Sequence, residues 1–332
     1  MSDILNTNVA LKTDYTNRNF YDLPENGRQF YERPNFALIK ASQSEVARER
    51  SENKIKDYVV EIIKFLHLTK FATEDQMQRY FESNQNVGVN KDLLDDLVKN
   101  YFINRFYIND TELDFNEYSD EDTDKILYVY TLDFGGEYLL TYEGVDTTQW
   151  RYTQLFAGIE VIKKALQQTE FIIGLFNANN SNIRRYDQFK NFRVGDSEVD
   201  TDFAASLDYK NGRATINLLG FFVEPRFEDL YLRDKIEDID KVMNKTNAWK
   251  KYYPLGGYTK PKIMFIVRSA DKESFDRIIK VIMRASEYQT PDVYLIGYNE
   301  LAAKGLANTR IYSFASNEDS YKLGVIRLDA FE

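Results

Sequence analysis

A tight turn between two strands is the feature that most constrains the fold of this chain. The sequence Lys-Asn-Gly-Arg occupies 210–213, and it separates two predicted strands, 203–209 and 214–223. Asn-Gly is the dipeptide that most favours a two-residue hairpin turn, because both of its residues tolerate positive φ. The two strands are therefore predicted to pair as an antiparallel hairpin, with their outer ends at one edge of a sheet.

Acidic residues stand at both outer ends of this hairpin. Asp202 precedes the first strand, and Glu224 and Arg226 follow the second. Two-metal nucleases of the restriction-endonuclease type place carboxylates in this way, since carboxylates hold the divalent ions that activate water. Their third position is a lysine, whereas Arg226 stays protonated and cannot act as a base.

Two interpretations of the residues at this edge of the sheet are therefore possible. In the first, Asp202 and Glu224 are metal ligands, and together with Arg226 they are the candidate catalytic residues. Mg²⁺ is expected only under that interpretation, and no other cofactor is expected. In the second, the carboxylates are strand-end charges, with Glu224 paired to Arg226 or Arg233. We expect a nuclease-shaped domain without catalysis rather than an active enzyme.

The remainder of the second half alternates strand and helix patterns. Buried-strand runs at 262–267 and 293–298 follow helical patterns at 228–252 and 274–287, and a further strand is predicted at 310–314. Continuous apolar strands between helices are typical of parallel strands covered on both faces. Residues 181–332 are therefore predicted to form a mixed-sheet α/β domain.

The first half predicts a different architecture. Helical spacing begins near Lys54, Thr73 and Gln76 form a capping box for a second helix, and Asn90 is the predicted cap of a third. Two strand patterns follow, at 102–108 and 126–132. Three short helices and a two-stranded hairpin are the order of a winged helix-turn-helix domain, which we assign to residues 53–150.

In that motif the third helix enters the major groove of DNA. Groove contacts use Arg, Lys, Asn and Gln, and phosphate contacts use the same side chains. The candidate DNA-binding residues are Gln76, Arg79, Asn90, Lys91, Lys99 and Asn100. Asp95 and Asp96 lie on the same helix and would have to face away from the DNA. An acidic winged helix of this kind is also typical of a protein-contact module.

Two segments flank these domains. Residues 1–52 are predicted to be an irregular arm with interleaved arginine and aromatic residues. It either packs its aromatic side chains on the body or tracks a DNA backbone. Residues 151–180 are predicted to be a linking helix, with a helical pattern from Tyr152 to Asn177 whose Lys163 and Lys164 point to solvent.

Composition limits the function classes. The chain has no Cys and a single His, which excludes disulfides, thiolate zinc sites and a cysteine nucleophile and disfavours a Ser-His-Asp triad. No apolar run approaches the length of a membrane helix, so a cytoplasmic protein with no membrane contact is expected. The net charge of −10 opposes general DNA binding. Contact with double-stranded DNA therefore requires a local patch, and we expect a homodimer.

Three stretches of the chain resemble the plasmid replication-relaxation family. The first is the third helix, 93–99, and the second is 129–140, which contains Tyr130, Gly135-Gly136 and Leu139-Leu140. The third is the hairpin that runs from Asp202 to the Val-Glu-Pro-Arg of 223–226. The resemblance covers roughly residues 55–315. It implies an N-terminal winged helix and a restriction-endonuclease-like C-terminal half, in a bacterial protein of plasmid replication or relaxosome assembly.

Three functions are compatible with this sequence. The first is a site-specific DNA-binding accessory or initiator protein of a plasmid or conjugative element, acting with a relaxase or replication proteins. The second is a metal-dependent nuclease using Asp202 and Glu224. The third is a non-catalytic adaptor whose acidic surface holds a basic protein partner.

Overall fold

The chain folds into two compact units, Met1–Ile173 and Gly174–Glu332. The computed structural model describes residues 29–31, 42–84, 88–109, 126–148, 150–179, 183–188, 191–194, 197–209, 214–223, 229–241, 260–268, 271–285, 293–304, 306–317 and 320–326. None of the helices within these segments combines the length and the apolar character needed to cross a membrane.

The first unit combines helices with a small antiparallel sheet. Its described helices are α1 (Gln43–Ser51), α2 (Asp57–Thr69), α3 (Glu74–Asn84), α4 (Lys91–Lys99) and α5 (Phe134–Tyr142). Its described strands are β1 (Gln29–Tyr31), β2 (Phe71–Thr73), β3 (Ile103–Asn109) and β4 (Ile126–Leu132), in the spatial order β1-β3-β4-β2. The long helix α6 (Ile159–Asn179) begins in this unit and contains the division between the two.

The chain order of the central elements is α2-β2-α3-α4-β3-β4. The three helices and the two long strands lie where the sequence predicts them. β2 is an additional strand, which pairs antiparallel with β4 through Ala72 and Tyr130. Its three residues are too few to show a period-2 pattern, and only the tertiary pairing defines them as a strand.

The structure differs from the predicted flanks in two places. The segment 1–52, predicted to be irregular, contains β1, which pairs with β3, and α1, whose first turn is capped by the Ser42 hydroxyl accepting from the Glu45 amide at 3.2 Å. The single helix predicted from Tyr152 is instead a 3-10 turn, Tyr152–Phe156, followed by α6. Lys163, predicted to point to solvent, is 5% exposed.

Two consecutive glycines allow α5 to pack closely on the chain that precedes β3. A Cβ at Gly135 would lie 2.6 Å from the Tyr101 carbonyl oxygen, and one at Gly136 would lie 2.4 Å from that of Phe102. Such distances exclude any side chain at these positions. Asp133 caps the same helix by accepting a hydrogen bond from the Phe134 amide at 2.7 Å.

The second unit is built on one large mixed sheet. Its described strands are β5 (Ile183–Gln188), β6 (Asn191–Val194), β7 (Ser197–Asp200), β8 (Phe203–Tyr209), β9 (Ala214–Val223), β10 (Lys262–Val267), β11 (Val293–Gly297), β12 (Ile311–Asn317) and β13 (Ser320–Ile326). Its described helices are α7 (Asp229–Asp240), α8 (Lys272–Ala285) and α9 (Tyr298–Lys304), with a 3-10 turn at Leu306–Asn308.

Among the described strands the large sheet has the order β13-β12-β11-β10-β9-β8-β5. β9, β10 and β11 are mutually parallel, whereas the pairs on either side of them are antiparallel. β6 and β7 form a separate hairpin. The structure therefore confirms a mixed α/β sheet with parallel central strands, and it confirms the pairing of β8 with β9. The Asn-Gly turn itself lies outside the described residues.

The core of this unit lies between the parallel strands and two helices. Alternate side chains of the strands, such as Phe221, Phe265 and Leu295, pack with the apolar faces of α7 and α8 in one buried cluster. On β9 the neighbouring Phe222 points to the opposite face of the sheet, where its ring contacts Phe203 at a centroid distance of 6.5 Å. The continuous apolar runs in the sequence thus reflect burial on both faces of the sheet.

Gly220 provides a test of this packing. It is the cross-strand partner of Phe203, and a Cβ at Gly220 would lie 1.8 Å from that ring. We expect Gly220→Ala to lower the free energy of unfolding by about 3 kcal/mol, because the ring would have to leave its position in a close-packed core. Urea unfolding measures the loss, and Gly88→Ala is the control.

The control position has no atom within 4 Å of an added Cβ, so its variant should stay within about 0.5 kcal/mol of the parent chain. Equal stability of the two variants would contradict the packing described for Phe203.

Candidate nucleic-acid interface

Helix α4 presents one face to the core and the other to solvent. Its N-terminus is fixed by Asn90, whose side-chain oxygen accepts a hydrogen bond from the Leu93 amide at 2.9 Å. Leu94 and Leu97 are buried in the core of the first unit. The residues of α4 that lie exposed on the other side are Lys91, Asp92, Asp96 and Lys99. Spacing of four and three residues places Asp92, Asp96 and Lys99 along one stripe of the helix, and Lys91 lies beside it in the first turn.

A partly buried ion pair fixes the rotation of α4 about its axis. Arg105 on β3 donates a hydrogen bond to the carboxylate of Asp95, and Arg105 is only 6% exposed. Its guanidinium lies 5.1 Å from the ring centroid of Tyr128 on β4, a cation–π distance. The pair therefore ties α4 to both strands of the hairpin, and Asp95 faces inward. Asp96 faces outward, with its side chain 73% exposed.

The charges on the outer face of α4 cancel. Lys91 and Lys99 are matched by Asp92 and Asp96, and Lys99 Nζ lies 3.8 Å from Asp96 Oδ1. The ammonium group of Lys91 lies 5.7 Å from the Tyr128 ring centroid. Phosphate binding needs a surplus of positive charge, so this face is better suited to contacts in a groove than to contacts with the backbone.

The two candidate residues on α3 are held by contacts with α6. The predicted capping box is present: the Thr73 amide donates to Gln76 Oε1 at 3.0 Å, and the Gln76 amide donates to Thr73 Oγ1 at 3.2 Å. Gln76 Nε2 also donates to the Leu166 carbonyl and to the carboxylate of Glu170. Because Gln76 is fully buried, its side chain is not available at the surface.

Arg79 is occupied in a similar way. Its guanidinium lies 2.5 Å from Glu170 and 2.8 Å from Asp75. Burial works against its charged form, but the two carboxylates outweigh that effect and raise the pKa of Arg79. Separating a buried ion pair of this kind costs several kcal/mol of stability. Arg79 therefore holds α3 against α6.

The two asparagine candidates cap the ends of α4. Asn90 caps the first turn, and Asn100 Nδ2 donates to the Asp96 carbonyl oxygen at 2.8 Å. Both residues remain exposed. Of the six sequence candidates, Lys91, Lys99, Asn90 and Asn100 therefore share one exposed helix, while Gln76 and Arg79 lie within the α3–α6 contact.

Asp202 lies at the edge of the large sheet, directly before β8. Its amide donates to the Gly220 carbonyl at 2.9 Å, and its carboxylate Oδ2 accepts from the Phe222 amide at 2.6 Å. Asp202 is 3% exposed. The carboxylate thus stands beside the carboxyl end of β9, as predicted, and it satisfies a buried backbone donor. Glu224 and Arg226 lie outside the described residues.

The described residues alone do not assemble a metal centre. Within them, no group of three or more His, Asp or Glu side chains is placed to hold a metal ion. The sequence did not single out Tyr186 on β5, whose ring stacks on Phe203 at 5.9 Å. Burial raises the pKa of Tyr186 well above its usual value, and the charge of Asp202 adds to that effect.

A cavity of about 250 Å³ opens at the same edge of the sheet, where β9 and β10 end and α8 begins. It is lined by Val223, Val267, Arg268, Asp271, Glu273, Ser274, Arg277 and Ile278. Asp271 caps α8 by accepting from the Ser274 amide at 2.8 Å. Sequence reasoning missed this cavity because its lining comes from three separate elements. The only available signal was an Asp-x-x-Ser cap before an amphipathic helix.

Comparison with known proteins identifies no relative: no protein-family model matches this chain, and no curated protein or solved structure is significantly similar to it. The function of this chain must therefore be inferred from the geometry of α4 and of the sheet edge.

The Asp95–Arg105 pair can be tested against its neighbour on the same helix. We expect Asp95→Ala to lower the free energy of unfolding by about 3 kcal/mol, because it removes the carboxylate that pairs with a guanidinium group on a residue only 6% exposed. Asp96→Ala removes an exposed carboxylate whose ion pair is long, and it should change stability by less than about 0.5 kcal/mol. Urea unfolding of the two variants gives the comparison. Similar small losses would mean that the pair does not anchor α4.

Proposed function

We propose that this chain is a site-specific DNA-binding protein that serves as an accessory or initiator on a plasmid or conjugative element. The observation that carries the proposal is the exposed outer face of α4 within the order α2-β2-α3-α4-β3-β4. The similarity of this order, with β2 paired to β4, to that of a winged helix-turn-helix domain supports the proposal. In such domains the corresponding helix is inserted into the major groove.

The chemistry of α4 favours recognition of bases over binding of the backbone. Lys91 stands in its first turn and Lys99 in its last turn, with Asn90 and Asn100 at its two caps. Lysine donates to guanine O6 and N7, and asparagine bonds to adenine. The neutral outer face gives little non-specific attraction, which raises the ratio of specific to non-specific binding.

The fold of the second unit supports an accessory role for this protein, without catalysis. If the separate β6–β7 hairpin between β5 and β8 is set aside, the order α6-β5-β8-β9-α7-β10 is similar to a restriction-endonuclease-like core. In it β5, β8 and β9 are antiparallel and β10 is parallel to β9. The backbone hydrogen bond of Asp202 favours a structural use of that carboxylate. We therefore propose a nuclease-shaped domain that supports assembly, as the resemblance to the replication-relaxation family implies, with a homodimer bound to double-stranded DNA near a relaxase or replication protein.

A protein-binding adaptor is the second candidate. The exposed carboxylates of Asp92 and Asp96 on α4 favour it, because they would repel phosphates and attract a basic protein surface. An adaptor would bind its partner in a salt-dependent way and would show no preferred DNA fragment.

Binding to DNA fragments tiled across the native plasmid or the neighbouring genome distinguishes a site-specific DNA-binding protein from a protein-binding adaptor. At near-physiological salt we expect one fragment to bind tightly, and we expect Lys91→Ala to weaken that complex by about 1–3 kcal/mol, since it removes a base contact. Lys54→Ala is the control, because Lys54 is 62% exposed and lies outside α4. Fluorescence anisotropy gives both affinities.

The absence of any preferred fragment would contradict the proposed function and favour the adaptor. Parallel incubations with Mg²⁺ and with Mn²⁺ test the nuclease alternative, under which Asp202 and Glu224 would hold the metal. Cleavage that Asp202→Asn abolishes would establish that alternative in place of an accessory role.

A further inference from the structure

Helix α8 has one apolar face and one strongly charged face. Phe275, Ile278, Ile279 and Ile282 are buried in the core of the second unit. The charged residues of the helix all lie on the opposite side, where they are exposed or half-buried: Lys272, Glu273, Asp276, Arg277, Lys280 and Arg284. Four of these six side chains are cationic and two are anionic, so the outer face of α8 has a net charge of +2. The whole chain, in contrast, has a net charge of −10.

Lys280 and Arg284 have no acidic partner among the described residues, in contrast to three lysines on other helices. On α4, at the end of α7 and on α9, Lys99, Lys241 and Lys304 each pair with a carboxylate three or four residues away. Neither Lys280 nor Arg284 forms an ion pair or a hydrogen bond within the part of the chain that the structure describes. Both side chains are exposed.

The spacing of these two cations suits a linear polyanion. They are four residues apart on one helix, which places them about 6 Å apart along its axis, and Arg277 precedes Lys280 by three residues on the same side. Double-stranded DNA offers one negative charge per ~1.7 Å of its length. Lys280 and Arg284 can therefore contact two neighbouring phosphates from one helix.

We propose that the outer face of α8, centred on Lys280 and Arg284, contacts the phosphate backbone of the DNA that this protein binds. The inference rests on the proposed function and adds to it a second surface with a distinct task. The outer face of α4 has no net charge, so it cannot supply the phosphate contacts on which most of the affinity of a DNA-binding protein depends. The face of α8 supplies charge of the required sign.

The dependence of affinity on salt tests this assignment directly. Each phosphate contact contributes about 0.9 to the slope of log K against log salt concentration. We expect the double variant Lys280→Ala/Arg284→Ala to lower the magnitude of that slope by about 2 on every fragment, without changing which fragment is preferred. The conservative variant Lys280→Arg/Arg284→Lys should keep the parent slope.

A matched control separates local contact from a change in net charge. Lys241→Ala/Lys304→Ala removes the same two charges from exposed, paired positions of the second unit, where the side chains are 46% and 55% exposed. Its slope should stay within about 0.5 of the parent value, because these lysines make no phosphate contact. An equal decrease in both double variants would overturn the assignment to α8.

Three further outcomes are decisive. If the parent protein binds a preferred fragment and Lys280→Ala/Arg284→Ala retains the parent slope, the inference about α8 fails while the proposed function stands. The inference about α8 also fails if Lys280→Ala/Arg284→Ala loses salt-dependent self-association and keeps the parent slope for DNA. In that case the outer face of α8 would bind an acidic protein surface. If the parent protein binds no fragment, the proposed function fails and the inference fails with it. Thermal unfolding of each variant verifies that it is folded.

Discussion

The partly buried pair between Asp95 and Arg105 is the interaction on which the orientation of α4 depends. Leu94 and Leu97 bury one side of the helix, but apolar packing alone tolerates small rotations. A charged hydrogen bond to a residue that is 6% exposed does not. Burying the charge of Arg105 is costly, and a pair of this kind adds orientation more than stability. Its consequence is that Lys91, Asp96 and Lys99 face solvent together.

A partner brought close by the fold also explains why residues of similar chemistry have different roles in this chain. Arg79 and Gln76 are candidates for DNA contact by their chemistry, yet Glu170 on α6 engages both of them. Lys99 carries a similar charge and remains 73% exposed. The difference is set by the partner that the fold brings within reach, about ninety residues away in sequence. Local patterns contain no information about such a partner.

Several parts of the structure follow from local sequence signals. The capping box of Thr73 and Gln76, the cap at Asn90 and the pairing of β8 with β9 each depend on residues close in the chain, and each is present. The features that were missed depend on distant pairing. β2 exists because Ala72 meets Tyr130, and the cavity beside α8 exists because β9 and β10 end next to each other.

The inward direction of Asp95 and the outward direction of Asp96 belong to the same class of tertiary features. Both are aspartates in the middle of one helix, and each lies beside apolar residues in the sequence. Only the position of Arg105 on β3 distinguishes them. The position of Asp202 at the edge of the sheet could likewise be predicted from the sequence. The role of its carboxylate could not, because the hydrogen bond from the Phe222 amide forms only in the folded sheet.

The distribution of charge suggests a division of tasks within one acidic protein. The neutral face of α4 would discriminate between base sequences, while the basic face of α8 would provide attraction that is independent of sequence. Such a separation keeps non-specific binding weak, because neither surface alone offers both shape and charge.

The absence of cysteine makes the central claim, that α4 lies in a DNA groove, directly measurable. A single Asp96→Cys variant labelled with iron-EDTA carries a cleavage reagent on the outer face of α4, and Lys54→Cys carries the same reagent elsewhere on the first unit. On the preferred fragment, we predict that the label at position 96 cleaves both strands within a window of a few base pairs, and that the label at position 54 does not. Binding of the fragment without localised cleavage from position 96 would contradict the claim.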